Sequence, residues 1–213
     1  LGAQSAKVVY LESFCCVSHL SVSGKILYQL ADGFTVEWKS LQGLYPKAAW
    51  TGRAGALPAS NQDAADSRQE YGDFVLVTVG STTFDDLIEA VDCAKFLENV
   101  RSLGFTKVRV QHGATHHKLQ HLVSEKVDGV EVQCFEYDPA VPEMIAQAGL
   151  VISHAGAGSI LDALSSCARM VVVPNTRLMN NHQVQLAEAL AQPDCRYVFS
   201  STCDQLLQTL EGL

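Results

Sequence analysis

The sequence predicts an α/β fold: a parallel sheet with helices on both faces. Three observations carry this. Between residues 73 and 213 short apolar runs alternate with helical patterns, the runs are apolar at nearly every position, and glycines or polar residues recur at their carboxyl ends (Gly80, Gly113, Gly156, Gly158, Asn175). Alternation of this kind gives parallel strands joined by crossover helices, and continuously apolar strands are those buried on both faces. A ligand in such a sheet lies beyond the carboxyl ends of the strands, where these glycines cluster.

Taken in order, Lys7 to Leu11 (KVVYL) predicts a buried strand and Phe34 to Trp38 (FTVEW) an alternating one, with a turn and short helix in SVSGKILYQLAD between them. The texture then changes. Gly52 to Gly72 is rich in Ala, Gly, Ser, Asp and Gln with almost no large apolar residue, the signature of a linker. The chain therefore divides into a first segment, 1–53, a linker, 54–72, and a body, 73–213. In the body FVLVTVG (74–80), KVRVQHG (107–113), EVQCF (131–135), LVISHAG (150–156) and MVVVPN (170–175) are strands. Apolar residues at 87, 88, 91, 94, 97 and 100 predict one helix over 85–103, and helices follow at 142–148, 159–166 and 181–191. Two strands and a helix bury little core of their own. The first segment is expected to pack on the body, exchange with another copy, or stay loose.

Composition narrows the function. The chain has 213 residues, 47% of them hydrophobic, enough for a sizeable core, and a formal net charge of -8. That charge argues against a broad nucleic-acid surface but leaves room for a single nucleotide held by backbone groups. Seven cysteines, an odd number without a C-x-x-C pair, point to a reducing compartment and away from structural zinc. No stretch reaches the length of a membrane span and no signal-peptide pattern is present. The chain opens on Leu1, so it is read as a fragment or processed chain, with an upstream membrane anchor left open.

Three polar clusters are candidates for chemistry. In VISHAGAGSILDAL (151–164) a strand turns into a helix through Gly156 and Gly158, which let backbone approach a ligand, and Ser159, which can cap the helix or donate a hydrogen bond. Free N–H groups and the helix dipole suit an anion there, although a plain turn with a capping serine accounts for the same spacing. A dinucleotide fingerprint would need a third glycine near Leu161 and an acidic residue roughly 20 positions on; the Walker and nucleophile-elbow patterns are also absent. Gly80, Ser81 and Thr82 close the first strand of the body in the same manner, with capping by Ser81 or Thr83 as the plainer alternative. Asn180, Asn181, His182 and Gln183 bring amides suited to neutral hydroxyls, or an asparagine cap. The histidines at 112, 116, 117 and 121 invite a metal reading, since His117 and His121 would share a helical face, but the polar segment reads better as a solvated loop.

FVLVTVGSTTFDDLI, LVISHAGAGSILDAL and LMNNHQVQLAEAL, in this order and spacing, resemble the catalytic-subunit family of the UDP-N-acetylglucosamine transferase that adds the second sugar to dolichol-diphosphate-GlcNAc. The resemblance covers residues 73 to 210. Residues 7 to 52 resemble the C-terminal end of that enzyme's membrane-anchored partner subunit, so the two appear joined in one chain, partner first. The resemblance implies the C-terminal, donor-binding half of a GT-B glycosyltransferase, Rossmann-like, related to the bacterial transferase that builds the murein lipid precursor. It implies that Gly80, Ser81, Thr82, His154, Ala155, Gly156, Ala157, Gly158 and Ser159 line the UDP-GlcNAc site around the diphosphate, with Tyr137 near uracil. Asn180, Asn181 and Gln183 would meet the sugar hydroxyls. Asp162 stands where the family usually has a ribose-binding glutamate, one methylene longer.

The implied reaction is inverting transfer of GlcNAc to dolichol-diphosphate-GlcNAc on the cytosolic face of the endoplasmic reticulum membrane, without cofactor or metal. The remainder of the anchor subunit is the implied partner, and no nucleic acid is expected. No residue is assigned as general base; His154 and Glu12 are candidates only. Two alternatives stand beside this, a UDP-sugar-binding module that is incomplete alone and a UDP-GlcNAc epimerase of the same fold.

Overall fold

Phe74–Thr78 (β4) lies at the centre of the larger sheet, with every side chain buried. The computed structural model describes residues 6–52, 72–124, 126–127, 129–176, 182–191 and 197–213. Most of the expected linker, together with Asn180 and Asn181, lies outside them. The body carries β4, α3 (Asp85–Val91), α4 (Ala94–Ser102), β5 (Lys107–Gln111), β6 (Lys126–Val127), β7 (Val130–Phe135), α5 (Val141–Gln147), β8 (Leu150–His154), α6 (Ala157–Ser165), β9 (Met170–Val173), α7 (His182–Leu190), β10 (Val198–Ser200) and α8 (Leu206–Glu211). Before it come β1 (Val9–Leu11), α1 (Val22–Leu30), β2 (Gly33–Val36), α2 (Lys39–Leu44) and β3 (Ala49–Trp50).

Among the described residues the strands form two sheets. The larger runs β10-β9-β8-β4-β5-β7-β6 and is parallel except for the β6–β7 hairpin, which reverses beside Gly129 at φ +88. Its strands alternate between two cores. Val75, Val77, Leu150, Ile152, Val171 and Val173 face a cluster with Leu87, Ile88, Leu97 and Leu210, whereas Phe74, Leu76, Val151, Met170 and Val172 face one with Ile145, Ile160 and Leu186. Helices thus cover both faces, as the continuous apolar strands require.

Two helix boundaries differ from expectation. The helix expected over 85–103 is two helices, because Asp92 leaves the helical line and the Cys93 N–H closes back on Val91 O at 2.9 Å. The helix after β8 starts at Ala157 rather than residue 159: the Ile160 N–H already donates to Gly156 O at 3.1 Å. Gly156 is therefore the N-cap residue and Ser159 sits inside the first turn. Neither Ser81 nor Thr83 caps α3, whose N-cap position is Phe84.

The smaller sheet, β1-β2-β3, is wholly parallel. Phe34 and Val36 point to one side, where Leu20, Leu41 and Ala48 complete a third cluster. The other side is open: Val9 and Leu11, in register with Gly33 and Thr35, are 67% and 53% exposed. Val22, Ile26 and Leu30, spaced four apart on α1, are exposed as well. The loop after β1 joins this sheet to the body. Phe14 is buried in the α5–α7 core and Cys15 and Val17 pack against it. Trp38 packs against that core and against the small one, stacks on Phe14 at 5.4 Å between ring centroids, and donates its indole N–H to Phe14 O at 2.7 Å. Ser18 Oγ donates to Gln185 Oε1 at 3.2 Å. Among the described residues no helix is long and apolar enough to cross a membrane.

Candidate functional site

The chain leaves β4 for β5 and β7 on one side and returns to β8 and β9 on the other. The carboxyl ends of β4 and β8 are therefore the topological switch point, where open α/β sheets hold ligands. A row of buried polar side chains marks this end. Thr78 is in register with Gln111 on β5 and with Ser153 on β8, and all three are at most 3% exposed. The Thr78 hydroxyl donates to Gln111 Oε1 at 2.5 Å and accepts the Gly80 N–H at 3.0 Å. Ser153 Oγ donates to the His154 carbonyl at 2.8 Å. Thr78 and Ser153 fall within the polar clusters that the sequence marks but are given no role there, and Gln111 is not marked at all. Their signal was available, a polar residue at or near the last position of an otherwise apolar strand.

His154 occupies the floor between the glycine turns. A β-carbon on Gly80 would fall 2.5 Å from its Cε1, and one on Gly156 would fall 2.3 Å from its Nε2. Glycine lets both turns close over the imidazole, and at Gly80 it also supplies φ +63, in the left-handed region that L side chains avoid. The ring is 6% exposed and its Nδ1 is buried without a hydrogen-bond partner. Burial pushes the imidazole below its ordinary value, against a weaker upward pull from the Thr78 backbone. His154 is thus neutral at pH 7.

The structure brings Gly80, His154, Ala155 and Gly156 together, and Ala157, Gly158 and Ser159 follow in the first turn of α6 with its free N–H groups. Ser81 and Thr82 are exposed on the rim. Asp162 is half-buried on α6, one turn after Gly158. Gln183 lies on α7, where its Oε1 accepts the Asn175 N–H at 2.9 Å and ties the helix to the end of β9. Tyr137, 71% exposed, stands beyond β7, two strands from β4. Glu12 does not present a base. It is 1% exposed, with Oε1 accepting the Ser13 N–H at 2.8 Å and Oε2 the Ser21 N–H at 3.0 Å and hydroxyl at 3.2 Å, at the start of α1.

The histidine stretch is not a solvated loop throughout. His117 Nε2 bonds Asp92 Oδ2 at 2.8 Å, and the same carboxylate accepts the N–H groups of Gln120, His121 and Leu122 at 2.7 to 2.9 Å. Among the described residues no group of His, Cys, Asp and Glu is placed to hold a metal ion.

Protonation of the unfolded chain tests the floor. Below about pH 6.5 the unfolded chain takes up a proton at His154 that the folded chain refuses, so stability falls by up to about 1.4 kcal/mol per pH unit as pH drops toward the depressed folded value. Thermal melts between pH 7.5 and 5.5 read this, and His154→Asn flattens the slope. An equal slope in the variant is the contrary result.

The two sheets match a known architecture. The crystal structure of Acinetobacter baumannii MurG, 16% identical, aligns with a TM-score of 0.66 over 97% of this chain and 56% of its own, which places the fold in the GT-B class of glycosyltransferases. Residues 74–211 match the glycosyltransferase family 28 C-terminal domain, and the chain belongs to that family. Residues 1–54 match the model described as "Oligosaccharide biosynthesis protein Alg14 like". The human UDP-N-acetylglucosamine transferase subunit ALG13 is 40% identical over 131 residues, 61% of this chain and 11% of its own length. The human subunit ALG14 is 49% identical over 53 residues, 25% of this chain and 24% of its own. The chain thus spans about a tenth and a quarter of these two relatives.

Proposed function

We propose that the chain holds the donor site for UDP-GlcNAc and transfers GlcNAc, with inversion, onto dolichol-diphosphate-GlcNAc. The observation that carries this is the pair of glycine turns closed over the buried His154 at the β4–β8 switch point, beside the first turn of α6. The acceptor hydroxyl oxygen bonds to the anomeric carbon as the bond from that carbon to the diphosphate breaks, and the electron pair leaves with UDP. The Ser81 N–H in the first turn and the N–H groups of Ala157, Gly158 and Ser159 at the start of α6 meet the charge that grows on the diphosphate, preorganised and without solvent reorganisation, while the Gly80 and Thr82 N–H groups hold the turn itself through Thr78 Oγ1 and Val79 O. The His154 imidazole, uncharged, adds polarity and shape to the floor. Tyr137 lies about 10 Å along the sheet from β4 at ordinary strand spacing, a suitable reach for uracil when the diphosphate sits over His154. We assign Asp162 to the ribose and Asn180, Asn181 and Gln183 to the sugar hydroxyls. The general base belongs to the acceptor side and is unassigned.

The resemblance of the first segment to ALG14 supports a membrane-anchored partner and a place at the cytosolic face of the endoplasmic reticulum. We further propose that residues 1–53 are the end of the acceptor lobe, 54–72 the linker and 73–213 the donor lobe. A parallel sheet is ordinarily covered on both faces, and the open Val9–Leu11 side favours a chain that binds donor but is incomplete as an enzyme by itself. Calorimetry with UDP and a GlcNAc transfer assay, with and without membranes supplying the anchor subunit, separate the cases. Binding alone for the isolated chain and transfer in the supplemented membranes are expected; no transfer in membranes containing every partner overturns the assignment.

Gly158 offers a sharp check, because a β-carbon there meets nothing within 4 Å. Gly158→Ala should leave the fold intact or raise its stability by up to about 1 kcal/mol through helix propensity. UDP affinity should nevertheless fall, since the added methyl stands where the ligand approaches. Unchanged affinity would remove Gly158 from the site.

A further inference from the structure

The histidine-rich loop after β5 is fastened to both ends of α3 by aspartates. At the start of the helix Asp85 accepts the Thr115 hydroxyl at 2.6 Å and the His116 N–H at 2.9 Å, and Thr115 Oγ1 in turn accepts the His117 N–H at 3.1 Å. At its end Asp92, with a side chain 1% exposed, takes His117 Nε2 and the N–H groups of Gln120, His121 and Leu122. These bonds fill the acceptor capacity of a carboxylate. They also explain the break between α3 and α4: Asp92 leaves the helix to serve a segment almost thirty residues away in sequence.

The loop begins at Gly113, and Gly113 touches the rim of the donor crevice. It has φ +59, and a β-carbon on it would lie 2.6 Å from Thr82 O and 2.9 Å from Val79 Cγ2. The Gly80–Thr82 turn therefore rests on the first residue of a strap whose other end is held by Asp92. It is held from below as well, by the Gln111–Thr78–Gly80 chain of hydrogen bonds. We propose that Asp92 is a positioning residue for the donor site, fixing the 113–122 strap and through it the backbone of the Gly80–Thr82 turn, the Ser81 N–H included. Asp92 touches no substrate; it acts through the strap. The inference rests on the assignment of that turn to the UDP diphosphate, but the strap's mechanical part is testable without it.

The test uses the full chain, with Asp92→Ala, Asp92→Asn and Gly113→Ala beside Leu210→Ala, a core change on α8 that removes none of the strap's hydrogen bonds. Asn keeps an oxygen for His121 and Leu122 but turns an amide toward Gln120 and His117, so it should rescue in part. Hydrogen exchange of amides 112–124 and 78–84 should quicken in Asp92→Ala, less in Asp92→Asn, and remain as wild type at 78–84 in Leu210→Ala. UDP affinity should fall about tenfold in Asp92→Ala, the size of coupling that packed networks carry. Gly113→Ala should lose affinity similarly while leaving the Asp92 bonds in place, and Leu210→Ala should keep it even where its melting temperature falls as far. Wild-type exchange at 78–84 in Asp92→Ala overturns the strap. Quickened exchange with wild-type UDP affinity overturns the positioning role, and a wild-type chain that does not bind UDP overturns the donor assignment alone.

Discussion

In membranes that supply the anchor subunit, Gly80→Ala is expected to lower GlcNAc transfer by roughly a hundredfold or more, the scale of losing one preorganised backbone donor, here the neighbouring Ser81 N–H, at a developing charge. The expectation has two sources. A non-glycine residue at φ +63 carries about 1–2 kcal/mol of left-handed strain, and its β-carbon would stand 2.5 Å from the His154 ring. Gly156→Ala meets only the second problem, because φ there is an ordinary -77 while the added carbon falls 2.3 Å from His154 Nε2. The two variants therefore respond differently to a trimmed floor. Adding His154→Ala should return most of what Gly156→Ala loses beyond the effect of His154→Ala itself, a coupling of the kind double-mutant cycles measure. Gly80→Ala should stay impaired in the same background. Steady-state transfer and UDP calorimetry across the single and double variants decide it; equal rescue of both glycines would show that backbone conformation at Gly80 plays no part.

Phe14→Ala has the largest effect expected on the fold. Phe14 is buried in the core of the body while belonging to the loop after β1, and Trp38 both stacks on it and bonds its carbonyl. Truncating a buried aromatic costs about 3–5 kcal/mol, and here the loss falls on the joint between the two sheets. The melt should split, with the small sheet unfolding below the body. Calorimetry reads the split directly, and a single transition lowered as a whole would show that the two sheets remain one cooperative unit without this contact.

Much of the body was legible because its information is local. Five apolar runs with glycine or polar ends specify five of the strands; β4 is buried throughout because no side chain between Phe74 and Val77 prefers water, whereas Glu131 and Gln133 on β7 are exposed. The break in the first body helix was not legible. Apolar positions 87, 88, 91, 94, 97 and 100 keep helical phase across it, while the cause is a carboxylate answering amides at 120 to 122. The same long-range demand hid the role of His117, which in sequence is one polar residue among several. Ser159 reads in sequence as a cap or a hydrogen-bond donor; Gly156 takes the N-cap position, where a β-carbon would meet the His154 ring. Short strands such as Ala49–Trp50 and Lys126–Val127 carry too few residues to show a period, and only pairing defines them.

The joint at Phe14 and Trp38 also bears on stoichiometry. Where two lobes are separate molecules, the surface between them must hold at the concentrations of the cell and a wide, tight interface is needed. On one polypeptide each sheet meets the other at an effective concentration on the order of millimolar, so a patch of a few aromatic and aliphatic side chains suffices. Covalent continuity thus pairs the two sheets one to one and lets a small contact suffice at the joint.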